Sequence, residues 1–259
     1  VINDAFAKER SFIKNHFSIK QVHIVAGDFI NNEATREEMT SLLLDKVNAK
    51  ITKDCVIGVS GGSTMYYIAG KANATFGYGK NVTITPIRGG LSVVDTEYQA
   101  NDIASKMAKN SGHAYQLLHA PDNIGQKALE ELVKEPVVKN ALDVIEKTSI
   151  IIHSIGNAFE MAERRKSSKE VLEVLNEKKA VSESFGSYFD ENGSEIFKTS
   201  TIGMSFKDVN GIDNVFTIVG GEAKADAVYS YLNTNPANAT LIIDEAICKK
   251  IIKKVNKNF

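Results

Sequence analysis

Residues 57–69 read IGVSGGSTMYYIA and predict a buried strand, a glycine turn and the start of a helix. Gly61 and Gly62 permit a tight turn without blocking a ligand, and Ser63 or Thr64 can cap the helix or donate a hydroxyl. Open N–H groups and the positive end of the helix dipole make such a turn a candidate phosphate site. A plain capped turn is the alternative, because the stretch has neither a Walker A loop nor a G-x-G-x-x-G fingerprint.

The same succession of strand, turn and helix recurs on both sides of this stretch. Helical spacing of apolar residues fills most of the intervals between short apolar runs. Because crossovers between parallel strands are right-handed, this alternation predicts an α/β fold, a Rossmann-like, doubly wound, mostly parallel sheet with helices on both faces. The other strands are expected at residues 21–26, 82–86, 149–154, 215–219 and 241–244.

Two local signals refine this prediction. Thr35, followed three residues later by Glu38, is typical of a capping box and predicts the start of the second helix. Residues 190–193, Asp-Glu-Asn-Gly, predict a hairpin turn between extended segments at 185–189 and 196–199. We therefore expect a small β-hairpin insertion that interrupts the alternation.

Glycine turns follow several of the predicted strands. Parallel strands end at one edge of their sheet, and ligands bind there near the point where the strand order reverses. Arg88 beside one turn can bind phosphate or form a surface ion pair. Lys224 lies in the first turn of a helix, where a cation opposes the dipole, and this favours an anionic partner. We expect one cleft to collect the turns at residues 61–62, 89–90, 156 and 220–221.

The composition narrows the class of protein. The 259 residues carry a formal net charge of −1, so no overall basic field supports nucleic-acid binding by this chain itself. Cys55 and Cys248 are far apart in sequence, so we expect no disulfide framework or zinc site and take the reducing cytoplasm as the default location. No apolar run approaches the roughly 18 residues of a membrane span, so no membrane partner is expected.

Candidate catalytic residues are few. His153 lies in an apolar run, where a core histidine is commoner than a general base. Asp244 and Glu245 at a strand end could serve acid–base chemistry on a sugar phosphate, but Asp244 could equally be an ordinary N-cap. No metal-ligand spacing occurs. We therefore predict no catalytic residue, no metal and no cofactor.

Five motifs, taken in order, resemble the effector-binding domain of the SorC (sorbitol operon regulator) family. They are GVSGGST, PIRGGL, IIIHSIGNA with MAERR, VSESFGSYFDENG and IVGGEAKADA. The resemblance implies a bacterial transcriptional regulator with an N-terminal helix-turn-helix domain and a Rossmann-like domain related to sugar-phosphate isomerases. Residues 1–259 would then form one sugar-phosphate effector-binding domain. Operator DNA would be bound through the helix-turn-helix domain, which is absent from this chain.

The resemblance also implies a ligand site on the turns described above. A phosphate would bind each of two glycine turns, and further residues would contact phosphate and sugar hydroxyls. Glu222 replaces a small hydroxyl residue in the second turn, and an acid there disfavours a phosphate. The implied ligand contacts are Gly61, Gly62, Ser63, Thr64, Arg88, Gly89, Gly90, Leu91, Gln99, Arg164, Glu183, Gly220, Gly221, Glu222 and Lys224.

The expected function is that of a non-catalytic sensor of a phosphorylated sugar that controls glycolytic genes. Fructose 1,6-bisphosphate is one candidate effector, and a triose phosphate such as glyceraldehyde 3-phosphate or dihydroxyacetone phosphate is the other. The resemblance implies a homodimer or homotetramer. The alternative is a sugar-phosphate isomerase or deaminase, which would share the fold and the anion-binding turns.

Overall fold

A computed structural model describes residues 5–90, 96–121 and 125–257. Strands and helices alternate along most of the chain, and short 3-10 helices span Thr96–Tyr98 and Glu222–Lys224. In chain order the elements are α1 (Ala7–Phe17), β1 (Gln21–Val25), α2 (Glu33–Asn48), β2 (Val56–Val59), α3 (Ser63–Lys71), β3 (Thr83–Pro86), α4 (Ala100–Ser111), β4 (Ala114–Tyr115), α5 (Gln126–Leu132), α6 (Pro136–Ile145), β5 (Ile150–His153), β6 (Gly156–Asn157), α7 (Ala158–Arg164), α8 (Lys169–Glu177), β7 (Ser182–Ser184), β8 (Ser187–Phe189), β9 (Glu195–Lys198), α9 (Phe206–Val209), β10 (Asn214–Val219), α10 (Ala225–Asn233), β11 (Ala239–Asp244) and α11 (Glu245–Lys257).

Seven strands form one parallel sheet in the order β1-β11-β10-β5-β2-β3-β4. From β2 the chain adds β3 and β4 on one side and then crosses to β5 on the other. The strand order therefore reverses between β2 and β5, where Val59 lies opposite Ile152. This arrangement confirms the predicted doubly wound α/β fold.

Helices cover both faces of this sheet because its strands alternate their side chains between two cores. Ile150 and Ile152 pack with α2, α3 and α4 on one face. Ile151, between them, packs with α6 on the other face. Further along that second face, α1, α10 and α11 pack on β1, β10 and β11. The near-continuous burial of these strands is typical of a parallel sheet.

The predicted hairpin insertion is part of a second, four-stranded antiparallel sheet, β6-β7-β8-β9. Residues 190–193 do form the predicted turn between β8 and β9, where Asp190 Oδ1 accepts N–H bonds from Asn192 and Ser194 (both 2.9 Å). A second tight hairpin joins β7 to β8 through Phe185 and Gly186, both at positive φ (53° and 81°). The insertion is thus larger than the sequence predicted.

The start of α2 differs from the prediction. Asn32 is the N-cap, and its side chain accepts a hydrogen bond from the N–H of Thr35 (3.3 Å). Thr35 is buried inside the first turn, and its hydroxyl donates to the carbonyl of Ala26 (2.7 Å). The capping box at Thr35 and Glu38 was therefore wrong, because Thr35 ties the helix back to the end of β1 instead.

Among residues 5–90, 96–121 and 125–257, no helix is both long and apolar enough to cross a membrane. No group of three His, Cys, Asp or Glu side chains among them is arranged to hold a metal ion. Cys55 and Cys248 are both buried and free.

Candidate ligand-binding site

A pocket of about 340 Å³ opens at the carboxyl ends of β2 and β5, where the strand order reverses. The turns after β2, β3 and β5 form its floor, and α7 and the β7–β8 hairpin form its wall. Ligands in doubly wound sheets bind at this position, since the connections on the two sides of the switch point diverge and leave a crevice. The fold alone therefore identifies this pocket as the candidate site.

The turn after β2 presents the N-terminus of α3 to the pocket. Gly62, the N-cap, has a φ of 117°, and no side chain caps the helix. The Gly62 N–H donates to the carbonyl of Tyr98 (2.8 Å), and a Cβ on Gly61 would lie 2.8 Å from the same oxygen. Both glycines are thus required, one for its backbone angle and the other for the close approach of Tyr98. The uncapped helix end can accept an anionic group.

A buried ionic cluster lies at the base of the pocket. Glu183 Oε1 accepts hydrogen bonds from Arg165 Nη2 (3.0 Å), Arg88 Nη1 (3.3 Å) and the N–H of Gly186 (2.6 Å). Arg165 Nη1 also donates to the hydroxyl of Tyr188 (3.1 Å). Glu183 and both arginines are each less than a tenth exposed. One carboxylate therefore fixes two guanidinium groups that come from distant parts of the chain.

The ionisation of Glu183 follows from these contacts. Burial alone would raise the pKa of its carboxyl group. The charges of Arg165 and Arg88 and the N–H of Gly186 outweigh burial and lower the pKa below its ordinary value of 4.5. Glu183 is thus an anion at neutral pH, and the cluster of two arginines and one carboxylate carries a net positive charge.

Basic side chains also line the upper part of the pocket. Arg164 and Lys166 are exposed, whereas Lys224 is partly buried and its Nζ donates to the carbonyl of Ile155 (3.1 Å). Burial and the charge of Arg164 lower the pKa of Lys224, against the opposing effect of Glu160. The described lining includes five basic and two acidic side chains, a net charge of +3. An anionic ligand would relieve this excess of positive charge.

His153 lines the pocket but is not placed as a base. It is fully buried, Nε2 lies 2.8 Å from the hydroxyl of Thr217, and Nδ1 lies 3.3 Å from the carbonyl of Ser154. Burial lowers its pKa to about 4, so the ring is neutral at pH 7. The contacts fit a tautomer in which Nδ1–H donates to Ser154 and the Thr217 hydroxyl donates to Nε2. The predicted role as a core histidine agrees with this environment.

The structure brings most of the predicted ligand contacts together. Gly90 lies just behind the pocket, where its N–H donates to the carbonyl of Ala120 (2.9 Å). Leu91 lies outside the described residues. The predicted residues that line the pocket are Gly61, Gly62, Ser63, Thr64, Arg88, Gly89, Gln99, Arg164, Glu183 and Lys224.

Of the predicted contacts in the second phosphate turn, Gly220, Gly221 and Glu222 do not line the pocket, whereas Lys224 does. Asp244 Oδ2 accepts the N–H of Gly221 (2.6 Å), and Asp28 Oδ2 accepts that of Glu222 (3.3 Å). A side chain on Gly220 would overlap Phe29, which covers this turn. The amides expected to bind phosphate are therefore already bound to the protein's own carboxylates, and of this turn only Lys224 faces the candidate site.

Asp244 has a structural role in this turn. Its Oδ1 caps α11 by accepting the N–H of Ile247 (2.9 Å), and its Oδ2 also accepts the N–H of Phe29 (2.8 Å). The N-cap interpretation is thus the one that the geometry supports, and a role in acid–base chemistry is not.

Several pocket residues were missed by the sequence analysis. Arg165, Tyr98, Ser184 and Phe185 all line the pocket. Arg165 left a signal as part of the Arg-Arg pair with Arg164 at the end of α7, and Ser184 and Phe185 lie within the quoted motif VSESFGSYFDENG. The resemblance to the SorC family implied Arg164 as the ligand contact. In the structure, Arg165 is the buried arginine of this pair, and it is the one that binds Glu183.

The doubly wound sheet thus carries a cationic pocket at its switch point, the position at which folds of this class bind small molecules. A family model described as "Putative sugar-binding domain" matches residues 4–253. The chain belongs to this family, the sugar-binding domains of SorC-type transcriptional regulators. The resemblance found in the sequence motifs is thereby confirmed.

Two similar proteins are both regulators of glycolytic genes by name. The chain is 31% identical over 241 residues to the central glycolytic genes regulator of Bacillus subtilis, covering 93% of this chain and 70% of the relative. The same regulator from Priestia megaterium is 31% identical over 245 residues, covering 94% of this chain and 71% of that protein.

A solved structure shares both fold and sequence. It is described as the "putative SorC family transcriptional regulator" from Enterococcus faecalis, is 31% identical, has a TM-score of 0.88 and covers 95% of this chain and 99% of that chain. The full-length sorbitol operon regulator from Klebsiella pneumoniae shares the fold, with a TM-score of 0.79 at 17% identity over 96% of this chain and 82% of that chain.

Proposed function

We propose that residues 1–259 form an effector-binding domain that senses a phosphorylated sugar and does not transform it. The net charge of +3 on the described residues of the pocket lining carries the proposal, because sugars alone are neutral and would not require it. The description of the family as a sugar-binding domain indicates that the rest of the ligand is a sugar. A sugar phosphate combines both chemistries.

The phosphate would bind at the N-terminus of α3. Backbone N–H groups of Ser63 and Thr64 are open on this side, since no side chain caps the helix. Thr64 also lines the pocket and could add its hydroxyl. Lys224 and Arg164 would bind a second phosphate or an anionic oxygen elsewhere in the pocket. The ligand would be fructose 1,6-bisphosphate or a triose phosphate. Its sugar would lie between the N-terminus of α3 and the side chains of Lys224 and Arg164.

The likeness to transcriptional regulators supports a role in controlling glycolytic genes. Operator DNA would be bound by a helix-turn-helix domain adjoining this chain, in a homodimer or homotetramer. A ligand that favours one arrangement of the subunits by 1 to 3 kcal/mol would change operator affinity about 5-fold to 150-fold.

Ligand-induced stabilisation of this domain tests the proposal. Ligand at one hundred times its dissociation constant should add about 2.7 kcal/mol to the free energy of unfolding. The probes are fructose 1,6-bisphosphate, dihydroxyacetone phosphate, glyceraldehyde 3-phosphate and glucose 6-phosphate. Thr64→Val and Lys224→Met should each abolish or strongly reduce the shift, whereas Lys80→Met, at an exposed lysine outside the pocket, should leave it unchanged.

Two results would contradict the proposal. Absence of stabilisation by all four probes would remove the sugar phosphate as ligand. Sustained conversion of any probe by micromolar protein would instead favour the isomerase or deaminase alternative, which the neutral, fully hydrogen-bonded His153 does not support.

A further inference from the structure

Tyr98 lines the pocket but is not among the residues that the sequence motifs implied as ligand contacts. It ends the short 3-10 helix Thr96–Tyr98 and is partly exposed. The other two rings of the described lining, His153 and Phe185, are 0% and 5% exposed, and their centroids lie 4.6 Å apart. Among the described lining residues, Tyr98 is therefore the aromatic side chain with the most surface left for a ligand.

The backbone of Tyr98 is joined to the turn that begins α3. Its carbonyl accepts the N–H of Gly62 (2.8 Å), and a Cβ on Gly61 would lie 2.8 Å from the same oxygen. A side chain at position 61 would push this carbonyl away, so the glycine keeps the approach open. Tyr98 therefore has a fixed place beside the helix end that we propose as the phosphate site.

The ring of Tyr98 is held against the same helix. It packs on Tyr66 of α3 with the centroids 5.4 Å apart and the planes at 83°, the edge-to-face arrangement that aromatic pairs favour. Tyr66 belongs to the first turn of α3, since its N–H donates to the carbonyl of Gly62 (2.9 Å). Lys106 Nζ lies 3.3 Å from the centroid of the Tyr66 ring, a cation–π contact that restrains this ring in turn. The side chain of Tyr98 is thus preorganised by protein contacts alone.

An aromatic ring at this place distinguishes the two parts of a sugar phosphate. The face of the ring carries partial negative charge, so it adds nothing to the binding of a phosphate group. The C–H groups of a cyclic sugar form a flat apolar surface that packs on an aromatic face and is removed from water there. A triose offers no such surface, because its short chain does not close into a ring.

We propose that Tyr98 is a specificity residue whose ring packs against the sugar ring of a bound hexose phosphate. The inference rests on the proposed function and deepens it, since it favours a cyclic hexose phosphate over a triose phosphate as the ligand. The phosphate lies at the N-terminus of α3 in this arrangement, and the sugar ring extends from there along Tyr98.

The test compares Tyr98→Ala and Tyr98→Phe with Tyr78→Ala. Tyr78 is 83% exposed and lies outside the pocket, so its replacement is the matched control. Calorimetric titration measures the affinity of each protein for fructose 1,6-bisphosphate, glucose 6-phosphate, dihydroxyacetone phosphate and inorganic phosphate. Tyr98→Ala should weaken the hexose phosphates about 3-fold to 10-fold and leave the other two probes within about 2-fold of wild type. Tyr98→Phe keeps the ring and should bind every probe as wild type does, as should Tyr78→Ala.

Circular dichroism without ligand establishes that each variant is folded. If Tyr98→Ala does not fold, Tyr98→Leu takes its place, because leucine fills part of the space beside Tyr66 without an aromatic face. The same losses are expected of it.

Several results would overturn the inference while the proposed function stands. One is an affinity for hexose phosphates within about 2-fold of wild type in the folded variant that lacks the ring. Another is an equal loss for inorganic phosphate, which would mean that Tyr98 only shapes the phosphate turn. An equal loss in Tyr98→Phe would assign the effect to the hydroxyl, and a wild-type protein that binds triose phosphates but no hexose phosphate would leave the ring without a ligand. Binding of no sugar phosphate at all would instead refute the proposed function.

Discussion

Replacing Glu183 by glutamine should destabilise the protein strongly, although the change keeps the shape of the side chain. The carboxylate is 4% exposed and its Oε1 is shared by two buried guanidinium groups at 3.0 and 3.3 Å. Removing one partner from a buried ion pair costs about 3 to 5 kcal/mol, because the opposite charge stays in a medium of low polarity. Native domains are stable by only about 5 to 15 kcal/mol, so this loss is a large fraction of the total.

Urea denaturation followed by circular dichroism at pH 7 measures this loss directly. In thermal unfolding, the same change corresponds to a fall in the midpoint of roughly 6 to 20 °C for a domain of this size. Because its pKa is lowered, Glu183 contributes stability above pH 4.5 that is lost as the pH falls further. Glu183→Gln should therefore also reduce the dependence of stability on pH in that acidic range.

Glu173→Gln provides the matched control. Glu173 lies exposed on α8, and a surface substitution of this kind changes the free energy of unfolding by less than about 0.5 kcal/mol. A loss below 1 kcal/mol for Glu183→Gln would refute the reasoning. It would mean that the two arginines do not depend on this carboxylate for their burial.

Two further predictions concern a buried ring and a covered turn. Because burial lowers the pKa of His153 to about 4, the unfolded chain binds more protons between pH 6.5 and 4, and stability should fall by up to about 3 kcal/mol across that range. His153→Gln should flatten this dependence in urea titrations at several pH values. Gly220→Ala should lower the free energy of unfolding by about 1 to 3 kcal/mol, since the added methyl overlaps Phe29. Gly125→Ala should be neutral or slightly stabilising, because no atom of another described residue lies within 4 Å of its Cβ position.

Each of these predictions has an internal comparison. His23 also has a pKa lowered to about 4 by burial, so part of the acid dependence should survive in His153→Gln. An unchanged profile in His153→Gln would show that the ring is not kept neutral by burial. Equal free energies of unfolding for Gly220→Ala and Gly125→Ala would show that Phe29 moves aside without loss of stability.

Local patterns in the sequence were sufficient for most of the fold. The glycine turn of residues 57–69 predicted β2 and the start of α3, because backbone freedom and apolar spacing act over a few residues. The Asp190 turn predicted the β8–β9 hairpin for the same reason. Strands β6 and β7 were missed, since each is only two or three residues long and pairs with a partner far along the chain.

The site was harder to predict because residues far away in the sequence determine which groups of a turn face the pocket. Gly220 and Gly221 have the sequence of a phosphate-binding turn, but Phe29 and Asp244 cover the turn and bind its amide. Thr35 has the spacing of a capping residue, but Asn32 caps the helix instead. In both cases local preference is overridden by a contact that the sequence of the turn itself does not encode.

The position of β1 bears on how the domain is assembled during synthesis. Among the strands of this sheet β1 is synthesised first, yet it pairs with β11, the last of them, through a register that joins Gln21 to Thr240 and Val25 to Asp244. A pairing of such high contact order forms late, so β1 lacks this neighbour until β11 has been synthesised. Nascent chains stalled before β11 should therefore depend on chaperones, and loss of the segment that contains β11 should expose β1 to proteases.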